Sequence, residues 1–347
     1  MCKIITNLYI RSGIYAAMIL VLSGFNNQVL SQDLHYSQFY NAPMTVSPAL
    51  TGIFNGDHRF TASLRDQWRS VPVPWFTFSA SYDRKIYPKK SGKSFFGAGL
   101  TFNYDKQGDS NLALANVNLA GSYTLFLNDK NALTFGLLLG YSNRGFDPDG
   151  LTWDKQWDPA TNSVIVGGSS GEIFDFETFS FLETAVGLNY RWQKSSRTKL
   201  DIGVGGFHLN SPKAKFNNNV DESLPLRLSI YGIYSMRLND DLDLQLDAMH
   251  QRQRQFEELL FGAYLNFYLN QQRGKNFQFR VGAGYRTTQS FFPKVAVEYN
   301  NIFVAFSYDI DFSEFSNDQS VGGPEIHFRY IIKNVKPKGQ FKICPIF

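Results

Sequence analysis

The sequence has few charged residues, two cysteines and, beyond its first segment, no long apolar run. Asp, Glu, Lys and Arg make up 18% of its 347 residues, below the ~25% of a typical soluble domain. The net charge of +4 is too small and too scattered to indicate a nucleic-acid partner. Beyond the N-terminal segment no run of ~18 apolar residues occurs, which excludes helical membrane spans from the rest of the chain.

Cysteine is nearly absent, and aromatic residues are abundant. Cys2 lies in the N-terminal segment and Cys344 near the end of the sequence, so no internal disulfide and no C-x-x-C zinc site are predicted. No other cofactor motif is present, and no cofactor is predicted. The aromatic content is 16%, with 32 Phe and 18 Tyr. Such a composition excludes a disordered chain, because disorder requires low hydrophobicity and few aromatics.

Residues 1–31 have the pattern of a signal peptide. Lys3 and Arg11 precede or flank an apolar core at 14–22. Val29 and Ser31 occupy positions −3 and −1 of a cleavage site before Gln32. An uncleaved membrane anchor is the alternative. Either reading predicts that the protein leaves the cytoplasm.

From residue 57 to residue 332 the hydrophobic period is two, which is typical of β-strands. Phe76, Phe78 and Ala80, for example, alternate with Thr77 and Ser79. We count fourteen strand candidates. The later ones lie at about 113–125, 133–142, 182–192, 199–208, 226–237, 242–250, 258–268, 277–286, 294–300, 302–310 and 325–332.

Alternation fits a soluble sandwich as well as a membrane barrel, and three features favour the barrel. Strands of ~10 residues, tilted near 45°, match an apolar band of ~25 Å. Aromatic residues gather near strand ends, as interfacial girdles require. The polar face carries too many ionisable groups for a sandwich core. These predicted lumen residues are Arg59, Arg65, Asp201, Arg227, Asp243, Asp247, Arg280 and Glu298. We expect these four arginines to pair with the four acids and to make the barrel rigid and non-conducting.

The connections between strands alternate in length and in charge. Tight Asn/Asp-rich turns, such as 128–131, 239–240 and 300–301, alternate with long connections at 143–178, about 209–224 and about 311–323. Periplasmic turns and long outer loops follow this parity in outer-membrane barrels. The turn near 83–94 is the exception. The periplasmic side is basic and the outer side acidic. A basic rim can hold phospholipid head groups or an acidic periplasmic partner, or it can simply be solvated.

Three further regions carry expectations about interactions. Residues 32–56 form an N-terminal extension that either plugs the lumen or lies in the periplasm. In the outer loops we expect a secreted partner to bind Trp153, Asp154, Trp157, Lys213 and Phe216, because Trp and aromatic side chains anchor interfaces. The tail at 333–347 is expected to dock a periplasmic component or to act as an assembly signal. Its predicted contact residues are Lys336, Lys338, Phe341, Lys342 and Phe347.

The order of several short motifs resembles the PorP/SprF family of Bacteroidetes outer-membrane proteins. These motifs are Asp33, Ser37–Tyr40 with Pro43, Pro48-Ala49 with Gly52, Arg65–Trp68, Ser79–Asp83, Asp147–Gly150, Gly205–Asn210 with Pro212, and Tyr308-Asp309. The resemblance covers nearly all of residues 32–347; Ser47 and Ile346 depart from the family pattern. It implies a role in type IX secretion and gliding motility. It further implies periplasmic lipoproteins and a secreted surface adhesin as partners, and it supplies no catalytic residues.

Two other functions compete with such a scaffold. An outer-membrane hydrolase needs a nucleophile and base at the rim; His208 and His250, with Asp247, are the candidates, and no G-x-S-x-G elbow is present. We therefore predict a non-enzymatic protein. A diffusion or uptake channel is the remaining alternative, because fourteen strands with a polar interior can enclose water.

Overall fold

The computed structural model describes residues 33–67, 74–88, 93–108, 110–148, 151–165, 169–171, 177–213, 223–272, 274–288, 290–312 and 322–333. Within these residues no helix is both long and apolar enough to cross a membrane. The predicted leader and most of the predicted tail lie outside the described residues.

Fourteen antiparallel strands form a closed barrel, which confirms the predicted fold and strand number. The ring closes where the first strand pairs with the last, from His58 opposite Ile332 to Arg65 opposite Glu325. The strands of the barrel are β1 (His58–Gln67), β2 (Trp75–Ile86), β3 (Ser94–Gln107), β4 (Leu112–Asn128), β5 (Asn131–Gly145), β8 (Thr178–Gln193), β9 (Lys199–Phe207), β10 (Arg227–Arg237), β11 (Leu242–Gln253), β12 (Phe256–Asn270), β13 (Phe277–Arg286), β14 (Ser290–Tyr299), β15 (Ile302–Asp311) and β16 (Gly322–Ile332). Two short strands, β6 (Trp157–Asp158) and β7 (Ser163–Val164), form a hairpin outside the barrel.

Each barrel strand alternates between an apolar outer face and a polar inner face. In β5, Leu137 and Leu139 are exposed to the outside, whereas Leu138 between them is buried. In β1, Phe60 is exposed while Arg59 and Arg65 are buried. Successive strand residues point to opposite faces of the sheet, so one sequence pattern builds an apolar belt and a charged interior together. This combination is typical of barrels that span a membrane.

The barrel ends are distinguished by their connections. Tight turns lie at the end that holds His58 and Ile332, whereas long connections such as 146–177 and 208–226 lie at the other end. The short-turn end therefore corresponds to the periplasm and the long-loop end to the outside. The sequence places a long turn near 83–94, as the exception among the periplasmic turns. In the structure this connection is shorter, because β2 continues to Ile86 and β3 begins at Ser94.

Residues 33–56, hereafter the lumen segment, lie against the inner wall. They form 3₁₀ turns at Phe39–Asn41 and Pro48–Leu50 and one α-helical turn, α1 (Pro43–Val46). Proline suits the first position of a helical turn, because its fixed φ is already helical and no N–H is lost there. The apolar side chains of the segment form one buried cluster with inward-facing residues of the wall. Its members are Phe39, Val46, Leu50, Ile53, Phe95, Tyr231, Met249, Leu260 and Phe292.

Glycines on the inner face make room for the lumen segment. A Cβ placed on Gly136 would lie 2.3 Å from the Pro48 carbonyl carbon, and one on Gly187 would lie 2.2 Å from Ser47 Oγ. Real Cβ atoms do not approach other atoms so closely. These inward glycines therefore permit close backbone approach, and in both cases the approaching chain is the Ser47–Pro48 turn.

Candidate functional site

Five charged side chains meet beneath the first residues of the lumen segment. This ion cluster comprises Arg65, Glu258, Arg286, Asp309 and Glu325, all at most 4% exposed. Arg65 Nη2 lies 2.6 Å from Asp309 Oδ2, and Arg286 Nε lies 2.8 Å from Glu258 Oε1. Removing charges from water is costly, so each of these groups depends on its partners.

The ion cluster binds the lumen segment directly. The backbone N–H groups of Ser37 and Gln38 donate to the two oxygens of Glu325 at 2.8 and 2.7 Å. Ser37 Oγ donates to Asp309 at 2.7 Å and accepts from Arg286 Nη2 at 2.6 Å. Charge-assisted hydrogen bonds of this kind are short and strong. The segment is thus held by side chains from β13, β15 and β16 at once.

A group of buried hydrogen-bonded side chains lies beside the ion cluster. His327 bridges Ser63 Oγ, at 2.7 Å from Nδ1, and Glu325 Oε1, at 2.6 Å from Nε2. The Tyr36 ring packs edge-on against His327 at 5.6 Å, and its hydroxyl donates to Ser79 Oγ at 2.8 Å. All of these groups are buried. The arrangement positions the lumen segment against β1, β2 and β16.

A second charged contact holds the start of the lumen segment near the outer end. His208 Nε2 lies 2.6 Å from Asp33 Oδ2, Arg227 Nε lies 3.3 Å from the same atom, and Glu183 Oε1 lies 3.2 Å from His208 Nδ1. Burial alone would raise the pKa of the Asp33 carboxyl, but the charges of His208 and Arg227 outweigh it and hold that pKa far below its usual range. Burial alone would lower the pKa of His208, yet Asp33 and Glu183 raise it to about 9.

We expect this contact to make the barrel less stable at alkaline pH. A raised histidine pKa stabilises the folded state fully below its unfolded value of ~6.5, and this contribution is lost as pH rises through about 9. The shift corresponds to about 3 kcal/mol at most. Urea unfolding in detergent at pH 6.5 and pH 10 should show this loss for the wild type and a much smaller one for His208→Gln. An equal loss in both proteins would contradict the assignment.

The periplasmic end of the lumen segment has its own anchors. Asp83 accepts two hydrogen bonds from Arg59, at 2.8 and 2.7 Å, and one from the Gly52 N–H at 2.7 Å. Arg59 also donates to the Leu50 carbonyl at 3.1 Å, and Lys85 donates to the Phe54 carbonyl. The lumen segment is therefore attached along its length.

The eight lumen residues expected from sequence all lie on the inner face, with different partners from those expected. Of the expected pairs, only Arg280 and Glu298 meet, at 2.7 Å. The others find partners that the sequence reading did not name. Arg59 pairs with Asp83, Arg65 with Asp309, Asp201 with Arg191, Arg227 with Asp33, Asp243 with Arg197, and Asp247 with Lys294.

The strand alternation marks most of the charged residues that the sequence analysis did not name. Asp83, Arg191, Glu258, Lys294 and Asp309 occupy inward positions of their strands, in phase with the lumen residues that were named. Asp33 and His208 lie outside strands, so no periodicity marks them. Their pairing depends on the path of the lumen segment.

The structure describes some of the predicted partner-binding residues. Trp153 is half-buried, and Asp154, Trp157 and Lys213 are exposed. The first three lie on a 3₁₀ turn (Asp154–Gln156) and the adjoining β6–β7 hairpin, while Lys213 bridges to Ser223 in the next outer loop. Phe216 and the tail residues Lys336, Lys338, Phe341, Lys342 and Phe347 lie outside the described residues.

A closed antiparallel barrel with an apolar outer belt and a charged interior is an outer-membrane β-barrel. The model of the family described as type IX secretion system membrane protein PorP/SprF matches residues 29–330. The chain therefore belongs to the PorP/SprF family and is an outer-membrane component of type IX secretion.

Solved structures share the fold at low sequence identity. The toluene transporter TbuX of Ralstonia pickettii aligns with a TM-score of 0.51 and 14% identity, over 85% of this chain and 94% of that one. The toluene transporter TodX of Pseudomonas putida aligns with a TM-score of 0.49 and 10% identity, over 87% and 98% of the two chains. At 14% identity the likeness to TbuX shows the fold alone. A comparison with curated proteins finds no match.

Proposed function

We propose that this barrel is a non-enzymatic scaffold of the type IX secretion machinery that anchors a secreted surface protein. Membership of the PorP/SprF family is the observation that carries this proposal. The scaffold is closed rather than conducting. Support for a closed lumen comes from the lumen segment, which is buried against the inner wall and attached to it by Glu325, Asp309 and Asp83.

The outer loops are the proposed attachment site for the secreted protein. Trp157 and Ile165 are 48% and 52% exposed on adjoining positions of the β6–β7 hairpin, where the Ile165 N–H donates to the Gln156 carbonyl. Exposed aromatic and aliphatic side chains on a short sheet can anchor a partner. Asp154 and Lys213 supply charges at the same end of the barrel.

The periplasmic end is proposed to contact a periplasmic lipoprotein of the same machinery. Lys130, Lys194 and Lys275 belong to its tight turns, and Lys333 follows the last strand. Basic groups at one rim favour an acidic partner surface. We propose that the tail residues from 334 onward contact the same lipoprotein.

Cross-linking mass spectrometry on a chromosomally tagged copy, purified from gently solubilised outer membranes, tests the scaffold. We expect cross-links from residues 151–165 to a large secreted protein and from the tight-turn end to a lipoprotein. Deletion of 150–175 should leave a folded, heat-modifiable barrel that no longer retains the secreted protein. Gly121→Leu on the outer face of β4 is the control, because it changes the barrel wall and leaves the outer loops intact. A barrel that purifies alone at native expression, or a deletion that retains its partner, would count against the proposal.

A hydrophobic-compound channel is the second candidate. TbuX, whose fold is similar, is a toluene transporter. The candidate requires a continuous path through the barrel, which the lumen segment would have to vacate. Conductance measurements on the full chain and on a chain without that segment separate the two functions, because a channel conducts as the full chain and a closed scaffold does not.

A further inference from the structure

A groove of about 660 Å³ lies on the outer wall of the barrel across strands β9–β13 and the start of β14. Its sides are apolar and outward-facing; the residues that form them are Leu200, Ile202, Tyr234, Leu246, Phe261 and Tyr285. These side chains belong to the belt that faces the bilayer. The groove is therefore a recess in the membrane-facing surface, and the inward-facing Asp247, Gly262 and Gly284 border its base.

The floor of the groove is made by small outward-facing residues in register. Gly232 on β10 lies opposite Ala248 on β11, and Ala263 on β12 lies opposite Ala283 on β13. A Cβ added to Gly232 would meet no atom within 4 Å. Between β11 and β12, Ala248 lies opposite Phe261 and Ala263 lies opposite Leu246. The floor therefore consists of two pairs of small residues that are offset by two residues along the strands.

Basic residues stand above this groove at the outer end of the barrel. Arg252 shares the outward face of β11 with Ala248, four residues or ~13 Å further along the strand, and Arg254 forms the tip of the β11–β12 turn. Both are exposed. On the same face Glu257 lies opposite Arg252 across the strand pair, and its Oε1 lies 2.6 Å from His250 Nε2. With one acid against two arginines, the turn keeps a net positive charge among outer loops that are acidic overall.

The connections at the outer end of β11–β14 are also short. β11 and β12 are joined by residues 254–255 and β13 and β14 by residues 287–289, whereas the β5–β8 and β9–β10 connections span 146–177 and 208–226. Within the described residues, the connections at the outer end of β11–β14 are short turns. A membrane lipid can therefore reach the groove and the arginines together.

We propose that the groove and the Arg252–Arg254 turn form a binding site for an outer-leaflet lipid with a phosphate-bearing headgroup. One acyl chain lies in the groove over Gly232 and Ala248, where it contacts Phe261 and Leu246. The phosphate lies at the level of Arg252 and Arg254, and charge complementarity selects an anionic lipid over a zwitterionic one. The site is independent of the scaffold function and of the state of the lumen.

Native mass spectrometry of the full chain tests this site, after reconstitution in phosphatidylcholine nanodiscs doped with phosphorylated lipid A. We expect the wild type to retain one lipid A molecule. Gly232→Leu with Ala248→Leu should abolish retention, because both side chains fill the groove. Arg252→Gln with Arg254→Gln should lower the preference for lipid A over phosphatidylcholine roughly 30-fold, since each basic group near a membrane contributes a factor of about 5.

Gly121→Leu is the matched control. Gly121 also faces outward, and a Cβ there meets nothing within 4 Å, yet it lies on β4 on another side of the barrel. This variant should retain lipid A as the wild type does. The double arginine variant alters an exposed turn, so its folding is not at risk. Equal retention by the groove-filled and control variants, or displacement of lipid A by inorganic phosphate alone, would overturn the proposal.

Discussion

Deletion of residues 33–56 is expected to convert a closed barrel into a conducting one. The segment occupies the inner side of the wall, and its removal exposes a lumen lined by charged groups such as Arg65, Asp309 and Glu325. These groups would then be hydrated, and water and ions would follow. Planar-bilayer recordings should show large, stable conductance steps for the deletion variant and none for the full chain.

A peptide with the sequence of residues 33–56 provides the control. Added to the deletion variant, it should block the steps, because its binding groups on the wall are intact. Outward-facing Gly121→Leu should remain as silent as the wild type. Large conductance through the full chain would refute the closed scaffold and favour the channel.

Arg65→Leu is expected to have the largest effect on stability among single substitutions in the ion cluster. Arg65 is 1% exposed, contacts Asp309 at 2.6 Å, and donates to the His35 carbonyl at 3.0 Å. Its loss leaves Asp309 and Glu325 buried with less compensation. Removal of one partner from a buried pair costs about 3–5 kcal/mol. Urea unfolding of the barrel in lipid vesicles measures the loss.

Arg237→Leu is the matched substitution on the surface. Arg237 and Asp240 form an ion pair in a tight turn, with side chains 49% and 82% exposed. Exposed pairs of this kind contribute at most about 1 kcal/mol, so this variant should unfold close to the wild type. Similar losses in the two variants would show that Arg65 acts through general charge and not through burial.

Local pattern was enough to predict which residues face the lumen. Alternation marks Arg59, Asp201 and Glu298 as inward without any knowledge of the neighbouring strands, because the side-chain direction repeats every two residues. Some of the ion-pair partners could also have been predicted from the sequence. Arg59 lies opposite Asp83, and Asp201 lies opposite Arg191, across single hairpins whose register is a local property.

Other contacts could not be read from local pattern. Arg65 meets Asp309 only because β1 closes the ring against β16, which brings β15 within reach. Arg227 meets Asp33 only because the lumen segment passes beneath the start of β10. The small outward residues Gly232, Ala248 and Ala283 carry no signal individually. They line one groove only because strand pairing places Gly232 beside Ala248 and Ala263 beside Ala283 on neighbouring strands.

The attachment of the lumen segment has a consequence for the order of assembly. Ser37 and Gln38 bind Glu325, 288 and 287 residues later in the chain. These early residues thus obtain contacts from the last strand of the barrel. Closing such a long loop is entropically costly and slow, so Ser37 and Gln38 cannot be secured until β16 joins β1. Ring closure and capture of this part of the segment should therefore be a single late step, and a barrel stalled before β16 should leave the chain around Ser37 and Gln38 open to protease, while the anchors at Leu50 and Gly52 can already form on β1 and β2.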